Sequence, residues 1–338
     1  MTRATIAGTG IYAPDNVVEN AFFNKKYGKD VDTFLRTQRN IHQRHFMSAD
    51  QATSDLIVPA ARDALQAAGV TATDLDLIII ATDTPDYISP STAAVVQHKL
   101  GAAKAGVFDL NAACSGFVTA LDVASKYISA DERYSNILVV GAYGMSKHFD
   151  WNDMKVVSVF ADGAGAAIVQ RTAGSNANGE EHGILASQLF ADGQYHDYMG
   201  IYAGGTAQPI TLEAVAKRAH FLQFVKRIPP ETNAEAWPRL THILLDRIGK
   251  RVADVDHFFF TQINIGSIIE TMNALGVAQT KAHNVMDRYG YTGSACIPMA
   301  IADAALAHKL KKDDLVIMLG SGGGMSMAAV AMRWSYDT

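Results

Sequence analysis

The apolar positions of this chain fall into blocks that predict alternating strands and helices. Over residues 49–69, Leu56, Ile57, Ala60, Ala61, Ala64, Leu65 and Ala68 recur at a 3.6-residue period, which predicts a helix closed by Gly69. Leu75–Thr82 lacks polar alternation, and such a strand belongs in a sheet covered on both faces. After the loop Thr84–Pro90, Ser91 starts a helix reaching Leu100. Residues around Phe108 and Leu110 read as a strand. From Ala113 onward, small residues with Phe117, Leu121 and Ala124 at i, i+4, i+7 read as a buried helix. Further strands are expected at 4–8, Ile137–Gly141 and Val156–Phe160, the last running into the small-residue stretch Ala161–Val169.

The order then repeats. Val252–Gln262 corresponds to Val70–Ile80, Arg288–Ala300 to the turn and helix after Phe108, and Lys312–Gly320 to Ser135–Gly141. An offset of roughly 180 residues is too long for a solenoid and fits an internally duplicated α/β protein. The expected halves are 1–171 and 172–338. Residues 172–233, richer in Gly, Pro and polar side chains, are read as an insertion that shapes an entrance.

Composition narrows the function. The chain has 338 residues, 49% hydrophobic and 19% charged, which suits a folded protein with an ample core. A net charge of −5 argues against nucleic acid and anionic membrane as partners. Cys114 and Cys296 cannot form a disulfide framework, and they fit a reducing, cytoplasmic setting. The N-terminal residues break at Gly8 and Gly10 before a signal-peptide core forms, and no apolar run reaches membrane-spanning length. Gly8-Thr-Gly10-Ile-Tyr-Ala13 formally matches a dinucleotide fingerprint. That site needs a helix to begin in the glycine turn, and Pro14 forbids helical geometry just before it, so the match is rejected.

Chemistry concentrates at Cys114, between the Phe108 strand and its helix. A thiol at a helix N-terminus faces the positive end of the dipole, which predicts a lowered pKa and a nucleophile. A lone cysteine among Ala and Gly also reads as a small core residue.

Four runs decide between these readings: Thr82–Ala93, Asp109–Phe117, Phe160–Ala167 and Gly322–Ala328. Together they resemble thiolase-superfamily condensing enzymes, closest to β-ketoacyl-acyl-carrier-protein synthase III. The resemblance implies a five-layered αβαβα fold of two alike halves, a homodimer, and acyl transfer through an acyl-Cys114. It also implies no permanently bound cofactor and no metal, with an acyl-CoA or acyl-carrier-protein thioester as donor. The oxyanion donors would be the backbone N–H groups of Cys114 and Gly324. Asp83, Asp86 and His98 are read as structural or dimer-interface residues.

The chain also departs from the family. The family's histidine position holds Thr261, and its asparagine position holds Tyr291, so hydroxyl donors replace an imidazole and an amide. His257 lies two pleats from Thr261, on the order of 10 Å along a strand, and cannot substitute; His283 does not align. Where the family stacks and clamps coenzyme A stand Phe34, Gln38 and Met154, with Arg39 and Lys155 adjacent; Asn264 matches its family counterpart, while Gly266 stands where a carrier-docking arginine belongs. Three readings follow: acyl transfer to a malonyl-type carbon, acyl transfer to an oxygen, nitrogen or water acceptor, and a non-catalytic partner subunit.

Overall fold

The computed structural model describes residues 3–175 and 177–338. Its principal elements, in chain order, are β1 (Arg3–Tyr12), α1 (Thr53–Ala68), β2 (Leu77–Ala81), α2 (Thr92–Leu100), β3 (Gly106–Leu110), α3 (Gly116–Ala130), β4 (Asn136–Tyr143) and β5 (Gly163–Thr172). The second half supplies β6 (Gly183–Ala191), α4 (Thr232–Ile248), β7 (His257–Phe260), α5 (Ile265–Leu275), α6 (Cys296–Leu306), β8 (Leu315–Gly322) and β9 (Ser326–Arg333).

Two sheets result. The first has the order β1-β5-β4-β2-β3, with β4, β2 and β3 parallel and the other pairings antiparallel. The second runs β7-β8-β9-β6, with only β7 and β8 parallel. Helices α1 and α2 cover the outer face of the first sheet, α4 and α5 that of the second, and α3 with α6 fill the space between. This is the five-layered αβαβα arrangement. Each half carries the same series: a short turn (Ala72–Asp74 or Val252–Asp254), a buried strand, a second turn (Ala113–Ser115 or Gly293–Ala295), then a central helix.

Glycine sets the layer spacing. Gly8 and Gly10 lie within β1, where a Cβ would fall 2.4 Å from the Ala68 nitrogen and 2.0 Å from the Ala60 carbonyl oxygen of α1. The formal fingerprint is thus a strand packed closely on a helix.

The apolar run Val156–Phe160 is not the expected strand. Asp153 caps a helical turn at Met154–Val157 by accepting from the Lys155 N–H, and the strand is instead β5, rich in Gly and Ala. At Gly165 a Cβ would sit 2.5 Å from the Met299 nitrogen of α6. The strand between two packed layers leaves no room for large side chains there.

Candidate active site

The parallel strands β2, β3 and β4 end on one side of the first sheet, where α/β proteins place their ligands. The turn Ala113–Ser115 joins β3 to α3 and carries Cys114, which is only 3% exposed. Ala113 is held at φ 46°, a left-handed conformation that is costly for a residue with a Cβ. Tyr291 lies close enough to Cys114 for its hydroxyl to favour the thiolate. Tyr291 is tied to the first half through its own N–H to Val159 and its carbonyl from Ala161, at 3.0 and 2.9 Å. Its ring meets Phe160 edge-on at 5.1 Å. At Gly293 a Cβ would strike the Tyr143 ring at 2.4 Å, so glycine there lets Tyr143 into the same cluster.

Burial pushes the Cys114 thiol well above its ordinary value. The Asp83 carboxylate adds to the rise, and the Tyr291 hydrogen bond opposes it. The sequence expectation of a thiol acidified by a helix N-terminus is therefore corrected: the helix is in place, but desolvation outweighs it. Burial also raises Cys296, to about 12, and raises Tyr143 and Tyr291.

The second half contributes a glycine turn. At Gly322 a Cβ would fall 2.7 Å from the Cys114 nitrogen, so this backbone abuts the nucleophile turn directly. Gly324 follows at φ 73° with open space where a Cβ would stand. Both are features that a backbone donor loop near a reacting carbonyl requires.

Thr261 lies at the end of β7, but its hydroxyl is taken. It donates to the Ser321 carbonyl at 3.2 Å and accepts from the Ser321 N–H at 2.9 Å. The O–H expected to donate in place of the family's histidine is here engaged between neighbouring strands. Asn264 is the N-cap of α5, accepting from the Gly266 N–H at 3.1 Å and donating to Ser267 Oγ at 3.2 Å. Phe34 is 48% exposed, with the Arg39 guanidinium 5.5 Å above its ring. Lys155 is exposed. Burial and nearby Arg227 lower the Arg39 pKa.

Neither alternative histidine serves Cys114. His257 pairs with Asp314 at 3.2 Å, and His283 with Asp303 at 2.8 Å, both lining a surface cleft of about 500 Å³. Two residues of the cluster escaped sequence reasoning as site residues, Tyr143 and Asp83. The only sequence signal for Asp83 was an ionisable residue directly after an otherwise apolar strand. Among the described residues no group of three or more His, Cys, Asp or Glu suits a metal ion, and no helix is long and apolar enough to cross a membrane.

A segment between β6 and α4 covers this side. It pairs Met199–Gly200 with Gln223–Phe224. Met199 comes within 3.5 Å of the Cβ position of Gly323, and Phe224 lies 5.9 Å from Phe160, ring to ring.

Five layers, two alike halves and a cysteine at the strand-to-helix turn of the first define the thiolase-type condensing-enzyme class. Residues 108–193 match the family description 3-oxoacyl-[acyl-carrier-protein] synthase III, and residues 245–334 match its C-terminal part. The chain belongs to that family. It is 36% identical to β-ketoacyl-[acyl-carrier-protein] synthase III of Natranaerobius thermophilus, over 99% of this chain and 100% of that protein. Among solved structures, 3-oxoacyl-[acyl-carrier-protein] synthase III from Aquifex aeolicus superposes with a TM-score of 0.86 at 30% identity, covering 98% of this chain and 100% of that one. The synthase III of Pseudomonas aeruginosa gives 0.85 at 28% identity, with 99% of each chain covered.

Proposed function

We propose that this enzyme takes an acyl group from a thioester onto Cys114 and passes it to a malonyl-type acceptor, as in fatty-acid or polyketide-like chain initiation. The observation that carries this reading is Cys114 in the strand-to-helix turn, with the Gly322–Gly324 turn packed against its backbone nitrogen and Tyr291 near its sulfur. The sulfur attacks the thioester carbonyl, the oxyanion is received by the N–H groups of Cys114 and Gly324, and its collapse breaks the bond to the donor's sulfur, which leaves as a thiol with the proton lost by Cys114. Tyr291 then stays within reach of the acyl-sulfur and supplies an O–H to charge developing on the acceptor. The donor is an acyl-CoA or acyl-carrier protein whose phosphates approach along Phe34, Arg39 and Lys155. The halves 1–171 and 172–338 enclose the site, and residues 172–233 shape its entrance through Met199 and Phe224. The active species is a homodimer joined at the free edge of β3.

Intact-mass measurement with a panel of acyl-CoA and acyl-carrier-protein thioesters should give one acyl adduct, absent from Cys114→Ala. Absence of an adduct with every donor overturns the reading.

The engaged Thr261 hydroxyl favours a second reading, in which the acyl group goes to an oxygen, nitrogen or water acceptor. Such transfer needs no enolate stabilisation, so a second donor at the acceptor is dispensable. Carbon dioxide release from malonyl thioester separates the two: stoichiometric release excludes the second, and none excludes the first.

A further inference from the structure

The cleft of about 500 Å³ that takes in His257 and His283 opens at the other end of the second sheet's parallel strands from Cys114. His257 begins β7, and Thr261, which bonds Ser321 beside the Gly322 turn, follows its last residue. Four residues of strand put these two ends on the order of 13 Å apart, so the cleft is separate from the thioester site.

Its walls are basic. Arg288, Lys309 and Lys311 line it together with three imidazoles and a single carboxylate, Asp303, in a chain whose net charge is −5. Asp303 is already engaged: Arg288 binds both of its oxygens at 2.8 Å, and His283 Nε2 meets Oδ2 at 2.8 Å. With Nε2 donating there, His283 Nδ1 is a neutral acceptor, and the Lys309 ammonium donates to it at 3.4 Å. Lys311 is held through its backbone N–H, which donates to Asp314 at 2.7 Å. Among the described residues, neither Lys309 nor Lys311 has a carboxylate paired with its ammonium. A lysine after a helix ordinarily answers the helix dipole. Two brought into one concavity beside Arg288 repel each other, and an anion between them removes that cost.

His308 adds a second observation. Helices α1, α2, α4 and α5 each close on a left-handed glycine: Gly69, Gly101, Gly249 and Gly276. After α6 the left-handed residue is instead His308, at φ 53°, with the following Lys309 N–H bonded to the Ala304 carbonyl at 2.9 Å. A side chain carried where the backbone favours glycine costs stability, and this one lines the cleft.

We propose that this cleft binds a small phosphate-bearing anion, held by Lys309, Lys311 and the His308 imidazole, at a site apart from the one that takes the thioester. Its volume falls in the range of small-ligand sites and exceeds what one phosphate group fills, which favours a diphosphate or nucleotide over orthophosphate. Arg288 stays on Asp303, and the two ammonium groups supply charge-assisted hydrogen bonds to the phosphate oxygens.

Calorimetric titration of the 338-residue chain with sodium pyrophosphate, orthophosphate and ADP at constant ionic strength tests this. Pyrophosphate and ADP should bind saturably and more tightly than orthophosphate. Lys309→Ala combined with Lys311→Ala should weaken pyrophosphate binding by about tenfold or more, and the milder Lys309→Gln by about threefold. His308→Gly should raise the thermal unfolding midpoint, because glycine suits that backbone, while weakening binding about threefold; a purely structural histidine would change the midpoint alone. Arg39→Ala, at the proposed thioester approach, should leave pyrophosphate affinity within about twofold of wild type. No saturable pyrophosphate binding to the wild type, or binding that the lysine variants leave unchanged, overturns the assignment. Binding that Arg39→Ala abolishes overturns it as well, because the anion then sits at the thioester entrance.

Discussion

At Cys114 two local effects oppose each other, and their sizes decide the outcome. A helix N-terminus favours an anion by about 0.3–1 kcal/mol, up to ~2 kcal/mol when partly buried. Full burial disfavours a charged group by up to 3–5 pKa units, about 4–7 kcal/mol. Burial therefore dominates, and the thiol is protonated at neutral pH. The Tyr291 bond works in the other direction because it favours the thiolate. Tyr291→Phe should raise the thiol pKa further, shifting the alkylation-against-pH curve to higher pH and slowing alkylation at a fixed pH about tenfold. Alkylation as fast as wild type would mean that the hydroxyl does not stabilise the anion. The location of this nucleophile was legible in the run Asp109–Phe117, while its ionisation was not. Burial is set by Tyr143, Tyr291 and Cys296, which arrive from other parts of the chain. Asp83 was illegible for the same reason: an acidic residue after a strand gains meaning only when its neighbours from β3 and β4 are known.

Elements with a strong period were readable from sequence, as in α1, whose apolar stripe and closing Gly69 agree with expectation, although the helix begins at Thr53 and not at 49. The strand β5 was misplaced because its Gly and Ala residues carry no β signal of their own, their identity being dictated by α6 packing above them. Asn264 illustrates the difference between a matched residue and its role. It resembles a family position, yet its side chain is fully accounted for by capping α5. Asn264→Ala should lower stability by about 1 kcal/mol in urea unfolding, the usual value of an N-cap. If the cap is its whole contribution, acylation of Cys114 remains within about twofold of wild type. A stability unchanged within error, together with lost acylation, would reverse that assignment and return Asn264 to the substrate.

For the molecule as a whole, the unfinished feature is the free edge of the first sheet. Among the described residues β3 pairs only with β2, and its outer edge carries a row of unmatched backbone groups beside half-buried Val107, Phe108 and Leu110. Proteins protect such edges with charge, proline or bulges, or else complete them by pairing. None of those protective residues occurs in Gly106–Leu110 apart from Asp109, whose carboxylate points back to cap α2 at the Thr92 and Ala93 N–H groups, 2.6 and 2.8 Å away. The nearby loop also shows Tyr87 and Ile88 at 58% and 84% exposure. In the homodimer proposed above, this apolar loop and unprotected edge would meet a second copy of the same chain, β3 against β3 across a two-fold axis. Sedimentation should therefore give a species of twice 36.3 kDa. Val107→Lys, introducing a charge at the proposed seam, should shift the equilibrium towards the single chain. Because β3 leads directly into the Cys114 turn, loss of the seam should loosen that turn and slow acylation as the dimer dissociates. A wild-type protein that sediments as a single chain, yet acylates Cys114 at an undiminished rate on dilution, would show that the edge is not the joint.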